Sequence, residues 1–279
     1  MTDVEKKNQR IFWAIFMATF FAMFGETIPQ SFQPLFIQNL GVSAAVITLI
    51  YNIRNVIQTF LRLVAGTISD SLGRRNMMLF GLALFVLVPF IYSVATNPYL
   101  PIVAMMASGL ALSIYFPPSE AYASSLFPPE KSGEAMGRYH MSWAISSVIG
   151  PSIGGYIASS FLDYETIFVF SGVITCIGFF IAWRYTEDDR DRSCPIPPGM
   201  LIRNTFDEFP ATMKRLLSNK KVIVACFAVF AHSFCHWGLV TFFPLLGAEI
   251  GMTEFWIGLT LTANALSIAL SLPIVGRIS

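Results

Sequence analysis

Long apolar runs follow one another along the chain and are separated by short polar segments. Each run is roughly 18 to 27 residues long, the length that a helix needs to cross a hydrocarbon core about 30 Å thick. Gly and Pro occur inside the runs, as in membrane helices, and the alternating pattern of a membrane barrel is lacking. The pattern predicts eight membrane-spanning helices, spans 1 to 8, near residues 11–36, 44–65, 77–95, 100–127, 139–161, 165–184, 222–247 and 255–275.

Composition agrees with this all-α membrane fold. Of the 279 residues, 54% are hydrophobic and only 13% are charged, more apolar surface than a soluble protein of this length can bury. Span 1 is too long for a signal peptide and lacks a small-x-small cleavage site, so we interpret it as a helix. The four Cys indicate no disulfide framework, and the net charge of +1 gives no indication of nucleic-acid binding. No cofactor is predicted.

The basic residues predict the orientation of the spans. Apart from Arg54 and Arg62, every Lys and Arg lies before span 1 or in the segments that follow spans 2, 4, 6 and 8. The other loops, at 37–43, 96–99, 162–164 and 248–254, contain none. Because cytoplasmic loops are enriched in Lys and Arg, we expect a cytoplasmic N-terminus in a multi-pass protein of the cell membrane.

The long loop divides the chain into three predicted regions. These are a six-helix bundle at 1–184, a cytoplasmic linker at 185–221 and the start of a second bundle at 222–279. The linker contains an amphipathic stretch with Phe206 and Phe209 set against Lys214 and Arg215 and similar residues. We interpret this stretch as a linker helix at the membrane interface, with a regulatory site as the alternative.

The end of the chain repeats an earlier segment. Gly276-Arg277-Ile278-Ser279 lies 210 positions after Gly66-Thr67-Ile68-Ser69. The same offset relates further identical residues, namely Pro34-Leu35 to Pro244-Leu245, Gly41 to Gly251, Ile47 to Ile257 and Leu49 to Leu259. We therefore predict two structurally similar halves, with the second half incomplete at residue 279.

The polar segment between spans 2 and 3 contains Gly66, Asp70, Gly73, Arg74 and Arg75. We expect Gly66 to allow two backbones to approach and Gly73 to adopt a positive φ in a tight turn. Asp70 can cap a helix, pair with Arg74 or face another helix end. One interpretation is a latch on the cytoplasmic side; the other is a capped turn whose basic residues contact lipid headgroups.

This segment resembles the signature between helices 2 and 3 of the major facilitator superfamily. The resemblance implies two six-helix bundles around a cavity that opens to each side in turn. Transporters built from such repeats bind substrate near the midplane. It also implies twelve helices, so we expect that the chain is a fragment or a truncated product.

Span 5 carries a second motif. Ser146, Gly150, Gly154 and Ala158 recur every four residues and form a small-residue seam, with a kink at Gly150-Pro151. We expect a partner seam in span 8, formed by Ala263, Ser267 and Ser271.

The order of residues in this motif, Gly150-Pro151-Ser152-Ile153-Gly154-Gly155, resembles the helix-5 motif of family members that exchange a proton for an exported compound. Span 4 departs from the same pattern. Met105 and Ser108 stand where these exchangers often have Arg and Gln, so the usual proton-relay arginine is missing.

Ionisable residues at membrane depth cost about 2.5–3.5 kcal/mol each, which makes them functional candidates. Glu26 and His236 are equivalent under the repeat, and we hypothesise that they approach each other and share a proton. The alternative is that each is satisfied locally. Arg54 is expected to contact an anionic substrate or to pair with Glu26 or Glu120. Glu120 is a proton site or an ion-pair partner.

No metal site is predicted, because His232 and His236 supply only two ligands. The pattern favours a secondary transporter of a small molecule, most of all a proton-coupled exporter that works by alternating access. The alternatives are an importer of an anionic metabolite and a non-transporting receptor on the same scaffold. An enzyme is not expected, since the chain has no HExxH or Gly-x-Ser-x-Gly motif. The expected partners are the substrate, a proton or other coupling ion and the bilayer, with the full-length protein monomeric.

Overall fold

A computed structural model describes residues 3–160, 163–187 and 198–278. All regular structure in these residues is helical, which confirms the predicted fold class. The helices are α1 (Asp3–Thr27), a 3-10 helix (Ile28–Ser31), α2 (Gln33–Asn39), α3 (Ala44–Leu72), α4 (Arg74–Ser93), α5 (Tyr99–Ser125), α6 (Pro129–Ser160), α7 (Tyr164–Tyr185), α8 (Pro198–Leu217), α9 (Lys220–Glu249) and α10 (Glu254–Ile278).

Within the described residues, five helices are long and apolar enough to cross a membrane. They are Asp3–Ser31, Ala44–Gly66, Arg74–Ser93, Tyr99–Ser125 and Tyr164–Tyr185. These five correspond to predicted spans 1 to 4 and span 6. Spans 5, 7 and 8 lie within α6, α9 and α10, which are helices of 32, 30 and 25 residues outside that set. The predicted amphipathic linker helix corresponds to α8.

Span 1, predicted as one helix over 11–36, is divided into three pieces. Pro29 and Pro34 cause the division, because each lacks the N–H that a continuous helix would use. Both prolines lie in first turns, of the 3-10 helix and of α2, where that N–H is not needed. Phe32 closes the 3-10 turn by donating its N–H to the Pro29 carbonyl at 3.1 Å.

The predicted polar loop at 66–75 is almost entirely helical. α3 continues to Leu72 and α4 begins at Arg74, so Gly73 is the only residue between them. Nothing in the segment before Gly73 interrupts a helix, and the Ser69 hydroxyl donates to the Gly66 carbonyl within the same helix at 2.7 Å. Gly73 has the predicted positive φ, at +90°.

The first-half helices enclose two apolar clusters. One lies where α1, α4, α5 and α6 meet and contains Phe12, Met78 and Tyr115, all buried. The other lies around the 3-10 helix and contains Phe32, Phe168 and similar residues. α10 packs along α6, so the two halves meet at this pair of helices.

The predicted repeat recurs in the backbone. Residues 40–43 separate α2 from α3, and residues 250–253, the same interval shifted by 210 positions, separate α9 from α10. Gly41 and Gly251 have φ values of +90° and +82°. Only glycine adopts this conformation without strain, so the same turn is built in both halves.

The helices that follow these turns start in the same way. The N–H of Ile47 donates to the Ser43 carbonyl at 3.0 Å, and the N–H of Ile257 donates to the Thr253 carbonyl at 3.1 Å. Ile47 and Ile257 are both fully buried. The equivalence of the two turns therefore includes the side chains that anchor them.

Candidate functional site

Glu26 of α1 and Arg54 of α3 form an ion pair inside the first bundle. Arg54 Nη2 donates to Glu26 Oε1 at 3.1 Å, and the two side chains are 6% and 26% exposed. Each charge would be costly at this depth alone, and pairing offsets that cost. The sequence analysis offered an anionic substrate, Glu26 or Glu120 as the partner of Arg54, and in the structure Arg54 pairs with Glu26.

Gly109 of α5 makes room for the arginine. A Cβ on Gly109 would lie 2.8 Å from Arg54 Cγ, so a larger residue would displace the side chain. Met105, where the exchanger arginine is missing, lies one helical turn away and is buried in an apolar cluster. The cation beside this part of α5 therefore comes from α3.

Three buried polar groups in the first-half helices have no hydrogen-bond partner among the described residues. They are Arg54 Nε, Tyr92 Oη and Ser31 Oγ, all in buried residues. Glu26 and Tyr92 line a small cleft between α1, α4 and α7. Buried polar groups are normally satisfied, so this region has capacity for water or for a polar group of a ligand.

Glu120 lies apart from this pair. It follows Pro117-Pro118 in α5, is partly buried, and has Arg62 and His140 as its charged or chargeable neighbours. The Arg62 guanidinium lies 5.4 Å from the Phe116 ring centre. In the described part of the chain, no ion pair within 4.0 Å joins Glu120 to an arginine, and Arg54 pairs with Glu26 instead.

His236 of α9 bonds within its own half. Its Nδ1 lies 3.2 Å from Oδ1 of Asn264 on α10. Glu26 and His236 therefore each have a partner in their own half. This arrangement matches the alternative in which each residue is satisfied locally, and not the hypothesis that the two share a proton. The side chain of His232 lies outside the description, and the described residues contain no group of three or more possible metal ligands.

The two arginines at the start of α4 bind backbone carbonyls in the last turns of α5 and α7. Arg75 donates from Nε to the Thr186 carbonyl and from Nη2 to the Trp183 carbonyl, both at 2.9 Å, at the end of α7. Arg74 Nη1 donates to the Ala121 carbonyl of α5 at 3.3 Å. Cations at helix C-termini satisfy carbonyls that lack helical partners. These contacts tie the start of α4 to α5 and to the end of α7.

Two other predictions for this segment have different outcomes. A Cβ on Gly66 would make ordinary contact with Pro117 at 3.7 Å, so the predicted need for glycine there is wrong. The side chain of Asp70 lies outside the description, and its role stays a prediction.

The small-residue seam of α6 packs against α1 and the 3-10 helix. A Cβ on Gly150 would overlap the Thr27 side chain, and one on Gly154 would overlap the Ile28 carbonyl. Ser146 Oγ donates to the Phe20 carbonyl at 2.9 Å, and Thr27 Oγ1 donates to the Ser146 carbonyl at 3.0 Å. The seam allows close packing as predicted, within the first half.

The neighbouring face of α6 contacts α10. A Cβ on Gly155 would overlap the Glu254 carbonyl, and one on Gly258 would overlap the Pro151 carbonyl. Ser152 Oγ donates to Thr262 Oγ1 at 2.6 Å. The helix-5 motif is therefore in contact with both halves at once.

The predicted partner seam in span 8 is wrong. Ala263 and Ser267 are exposed, and the side chain of Ser271 lies outside the description. The face that contacts α6 contains Glu254, Gly258 and Thr262, also spaced by four residues but one position earlier in the helix. One position rotates the face by about 100°, since a helix has 3.6 residues per turn.

A buried hydroxyl network was not predicted from the sequence. Thr19 Oγ1 lies 2.5 Å from Tyr115 Oη, and Ser119 Oγ lies 2.7 Å from Tyr139 Oη. These four residues are buried and join α1, α5 and α6. The tyrosines within the apolar helices could have predicted it, because the hydroxyl of a buried tyrosine usually forms a hydrogen bond.

Comparisons with known proteins agree with this architecture. The chain is similar to multidrug resistance protein MdtH of Blochmanniella floridana, with 24% identity over 241 residues that cover 86% of this chain and 57% of that protein. It is similar to the multi-drug resistance efflux pump PmrA of Streptococcus pneumoniae serotype 4, with 24% identity over 290 residues that cover 100% of this chain and 68% of that protein. The chain thus spans just over half to about two thirds of the length of these relatives.

Solved structures give the same fold. The crystal structure of a bacterial homolog of the human lysosomal transporter Spinster, inward-facing and unoccupied, superposes with a TM-score of 0.71 and 16% identity over 95% of this chain and 60% of that chain. The profile of the Major Facilitator Superfamily matches residues 15–279. With helices, signature segment and repeat all in agreement, the chain belongs to the major facilitator superfamily.

Proposed function

We propose that this chain is part of a secondary transporter of the cell membrane that exports a small molecule in exchange for protons by alternating access. The observation that carries the proposal is the position of α6, whose glycines contact α1 on one side and α10 on the other. A helix packed this closely against both halves couples any movement of one half to the other. The names of the curated relatives, which are multidrug resistance proteins, support export.

In this proposal Glu26 is the proton-binding residue and Arg54 is its counter-ion. Protonation of Glu26 would remove its charge and leave Arg54 as a buried cation without a counter-ion. Breaking a buried pair in this way costs about 3–5 kcal/mol, enough to favour a conformation in which Arg54 reaches water or an anion. Loss of the proton would restore the pair.

Arg74 and Arg75 hold the cytoplasmic ends of α5 and α7, and in this proposal the first bundle moves as one body. The N-terminus is cytoplasmic, and Glu120 is a second proton-binding candidate that acts through Arg62 and His140. The complete protein acts as a monomer, with residues 1–184 as one bundle, 185–221 as the linker and 222–279 as the start of the other bundle.

A second candidate function is import of an anionic metabolite. Arg54 Nε is buried and has no partner among the described residues, and an arginine with donors to spare suits a carboxylate or phosphate. Import would use Arg54 as the substrate contact, whereas export would use Glu26 as the proton site.

Transport in everted membrane vesicles tests the proposed export. The full-length protein that contains this chain is expressed, and a fluorescent lipophilic cation is added before and after a pH gradient is imposed. We expect gradient-dependent uptake into the vesicles, which corresponds to export from cells, and we expect Glu26→Gln to abolish it. Glu165→Gln changes an exposed carboxylate at the start of α7 and serves as the control. Gradient-dependent transport that Glu26→Gln leaves intact would contradict the proposal.

A further inference from the structure

A basic cavity lies where the start of α1 meets the end of α7. Its volume is about 500 Å³, and it is lined by Lys6, Lys7 and Arg10 of α1 and by Arg184, Tyr185 and Glu187. The lining therefore carries four positive charges and one negative charge. The proposed transport mechanism uses none of these residues, and we call this space the α1–α7 cavity.

The protein neutralises only part of this charge. Lys7 Nζ lies 2.6 Å from Glu187 Oε2, and Lys6 Nζ lies 4.0 Å from Asp3 Oδ1 in an exposed pair. The Glu187 backbone is held in place, because its carbonyl accepts from Tyr122 Oη at 2.7 Å. The other two cations are arginines, and neither has a carboxylate within 4.0 Å in the described part of the chain. The cavity therefore has two guanidinium groups available to an anion.

Tyr185 holds the two arginines at the cavity. The guanidinium carbons of Arg10 and Arg184 lie 5.2 Å and 5.6 Å from the centre of its ring, so both cations interact with the same aromatic side chain. Two like charges near one ring repel each other, and an anion that contacts both would lower that repulsion. A planar guanidinium group donates two parallel hydrogen bonds to one anion, whereas an ammonium group acts as a point charge. The two arginines are therefore suited to an anion with several oxygens, such as a phosphate group.

Two tryptophans mark the depth of the cavity. Trp13 of α1 and Trp183 of α7 are 50% and 56% exposed, and tryptophans at membrane–water interfaces lie at the level of the lipid headgroups. Arg10 precedes Trp13 by about one turn, and Arg184 directly follows Trp183 at the end of α7. The cavity therefore lies at the level of the phosphate groups of lipids.

The cavity continues into an apolar surface on both helices. On α1, Trp13 and Met17 follow Arg10 at intervals of three and four residues, and residues so spaced share one face of a helix. On α7, Phe180 precedes Arg184 by four residues. Met17 and Phe180 are exposed, as Trp13 is. A ligand with an anionic head and apolar chains would therefore find a matching surface along its whole length.

A second cavity beside α1 provides a contrast. Its volume is about 400 Å³, and its charged lining residues are Glu5, Lys131, Glu134 and Arg138, two acids and two bases. Arg138 Nη2 lies 2.6 Å from Glu134 Oε1. Because these charges balance, the second cavity has no excess charge for an anion. The basic excess is therefore a property of the α1–α7 cavity and not of this whole end of the bundle.

We infer that the α1–α7 cavity binds the headgroup of an anionic phospholipid, whose phosphate contacts Arg10 and Arg184 and whose acyl chains lie along the exposed apolar faces. The inference goes beyond the proposed transport function and does not depend on it. Basic pockets between membrane helices bind anionic headgroups in this way. In the orientation proposed above the lipid belongs to the cytoplasmic leaflet, and a reversed orientation would change the leaflet but not the site.

Native mass spectrometry of the detergent-solubilised full-length protein tests the inference. Phosphatidylglycerol is titrated in, with zwitterionic phosphatidylcholine of the same chain length as the comparison. We expect tighter binding of phosphatidylglycerol, and we expect Arg10→Gln with Arg184→Gln to raise its dissociation constant about fivefold or more. Equal binding of the two lipids, or an unchanged dissociation constant in the double variant, would overturn the inference.

Lys131→Gln with Arg138→Gln is the matched control. It removes the same number of positive charges from exposed side chains of the second cavity, so it should leave the dissociation constant unchanged. Circular dichroism checks that both double variants keep their helices. An equal loss of affinity in the control would show that the lipid responds to overall charge, and the assignment to this cavity would be wrong.

Tryptophan quenching in nanodiscs locates the acyl chains and distinguishes a lipid from a free anion. A small fraction of brominated phosphatidylglycerol should quench more fluorescence than the same fraction of brominated phosphatidylcholine, and Trp13→Phe with Trp183→Phe should remove the excess. Inorganic phosphate should leave the excess in place, because it has no acyl chains. Equal quenching by the two lipids, or loss of the excess when phosphate is added, would contradict a lipid site.

Discussion

The helix pairs that begin the two halves share a turn but hold different polar contacts. In the first half the pair is charged, Arg54 is 6% exposed, and Gly109 of a third helix is shaped around it. In the second half the pair is an imidazole and an amide, both partly exposed. The turn is thus the same in both halves, while the chemistry at equivalent positions differs.

This difference sets the energetic cost of disturbing each half. Removal of one partner from a buried ion pair leaves an uncompensated charge, which costs several kcal/mol. Removal of one partner from a neutral hydrogen bond at a half-exposed site costs about 1 kcal/mol, because water can replace it. The first half is therefore expected to be held more tightly than the second half.

The largest expected effect is on the first-half pair. Arg54→Met should lower the free energy of unfolding by about 3–5 kcal/mol, because Glu26 is then buried without its counter-ion. Thermal unfolding of the detergent-solubilised protein measures the change. The double variant Glu26→Gln with Arg54→Met removes both charges and should recover most of the loss. Equal losses in the single and double variants would show that the ion pair is not what stabilises this region.

Gly109→Ala should have the next largest effect, a loss of about 1–3 kcal/mol, since the added methyl group forces Arg54 from its position. Gly133→Ala in α6 is the matched control, because a Cβ there meets no atom within 4 Å. The loss should shrink when Arg54 is already replaced by Met, which a double-variant cycle measures. If the two losses simply add, Gly109 acts on something other than Arg54.

Much of this fold follows from the sequence, and the exceptions have physical reasons. The apolar runs, the offset of 210 and the positive φ of Gly73 are local or periodic properties, and a single chain displays them. The end of α3 was misplaced because polar residues such as Ser69 and Asp70 indicate a loop by composition, although no residue before Gly73 breaks the helix. Hydropathy marks the edge of an apolar run, and the helix end depends on backbone geometry.

The partners within the site were harder to predict than its members. Arg54 has a long side chain that could reach several acids, and its choice of Glu26 depends on how α1, α3 and α5 pack, which the sequence alone does not give. The contact face of α10 differed from the predicted seam by one position, a difference that spacing alone does not resolve. The repeat could have identified Asn264, because the offset of 210 positions that relates Glu26 to His236 also relates Arg54 to Asn264. Asn264 carries no charge, so nothing in the sequence singles it out before the contact of Arg54, the equivalent residue, is known.

The smallest expected effect is on the second-half pair. Asn264→Ala should lower the free energy of unfolding by only about 0.5–1.5 kcal/mol, since the site is half-exposed and the lost bond is neutral. Asn264→Arg restores the first-half residue at the equivalent position and should be more destabilising than Asn264→Ala, because it places a cation beside His236 where no carboxylate stands at the position equivalent to Glu26. Unfolding curves of the two variants measure the difference, with Ser267→Ala as the reference. A loss for Asn264→Ala as large as that for Arg54→Met would mean that the two halves are held equally tightly, and the contrast between them would fail.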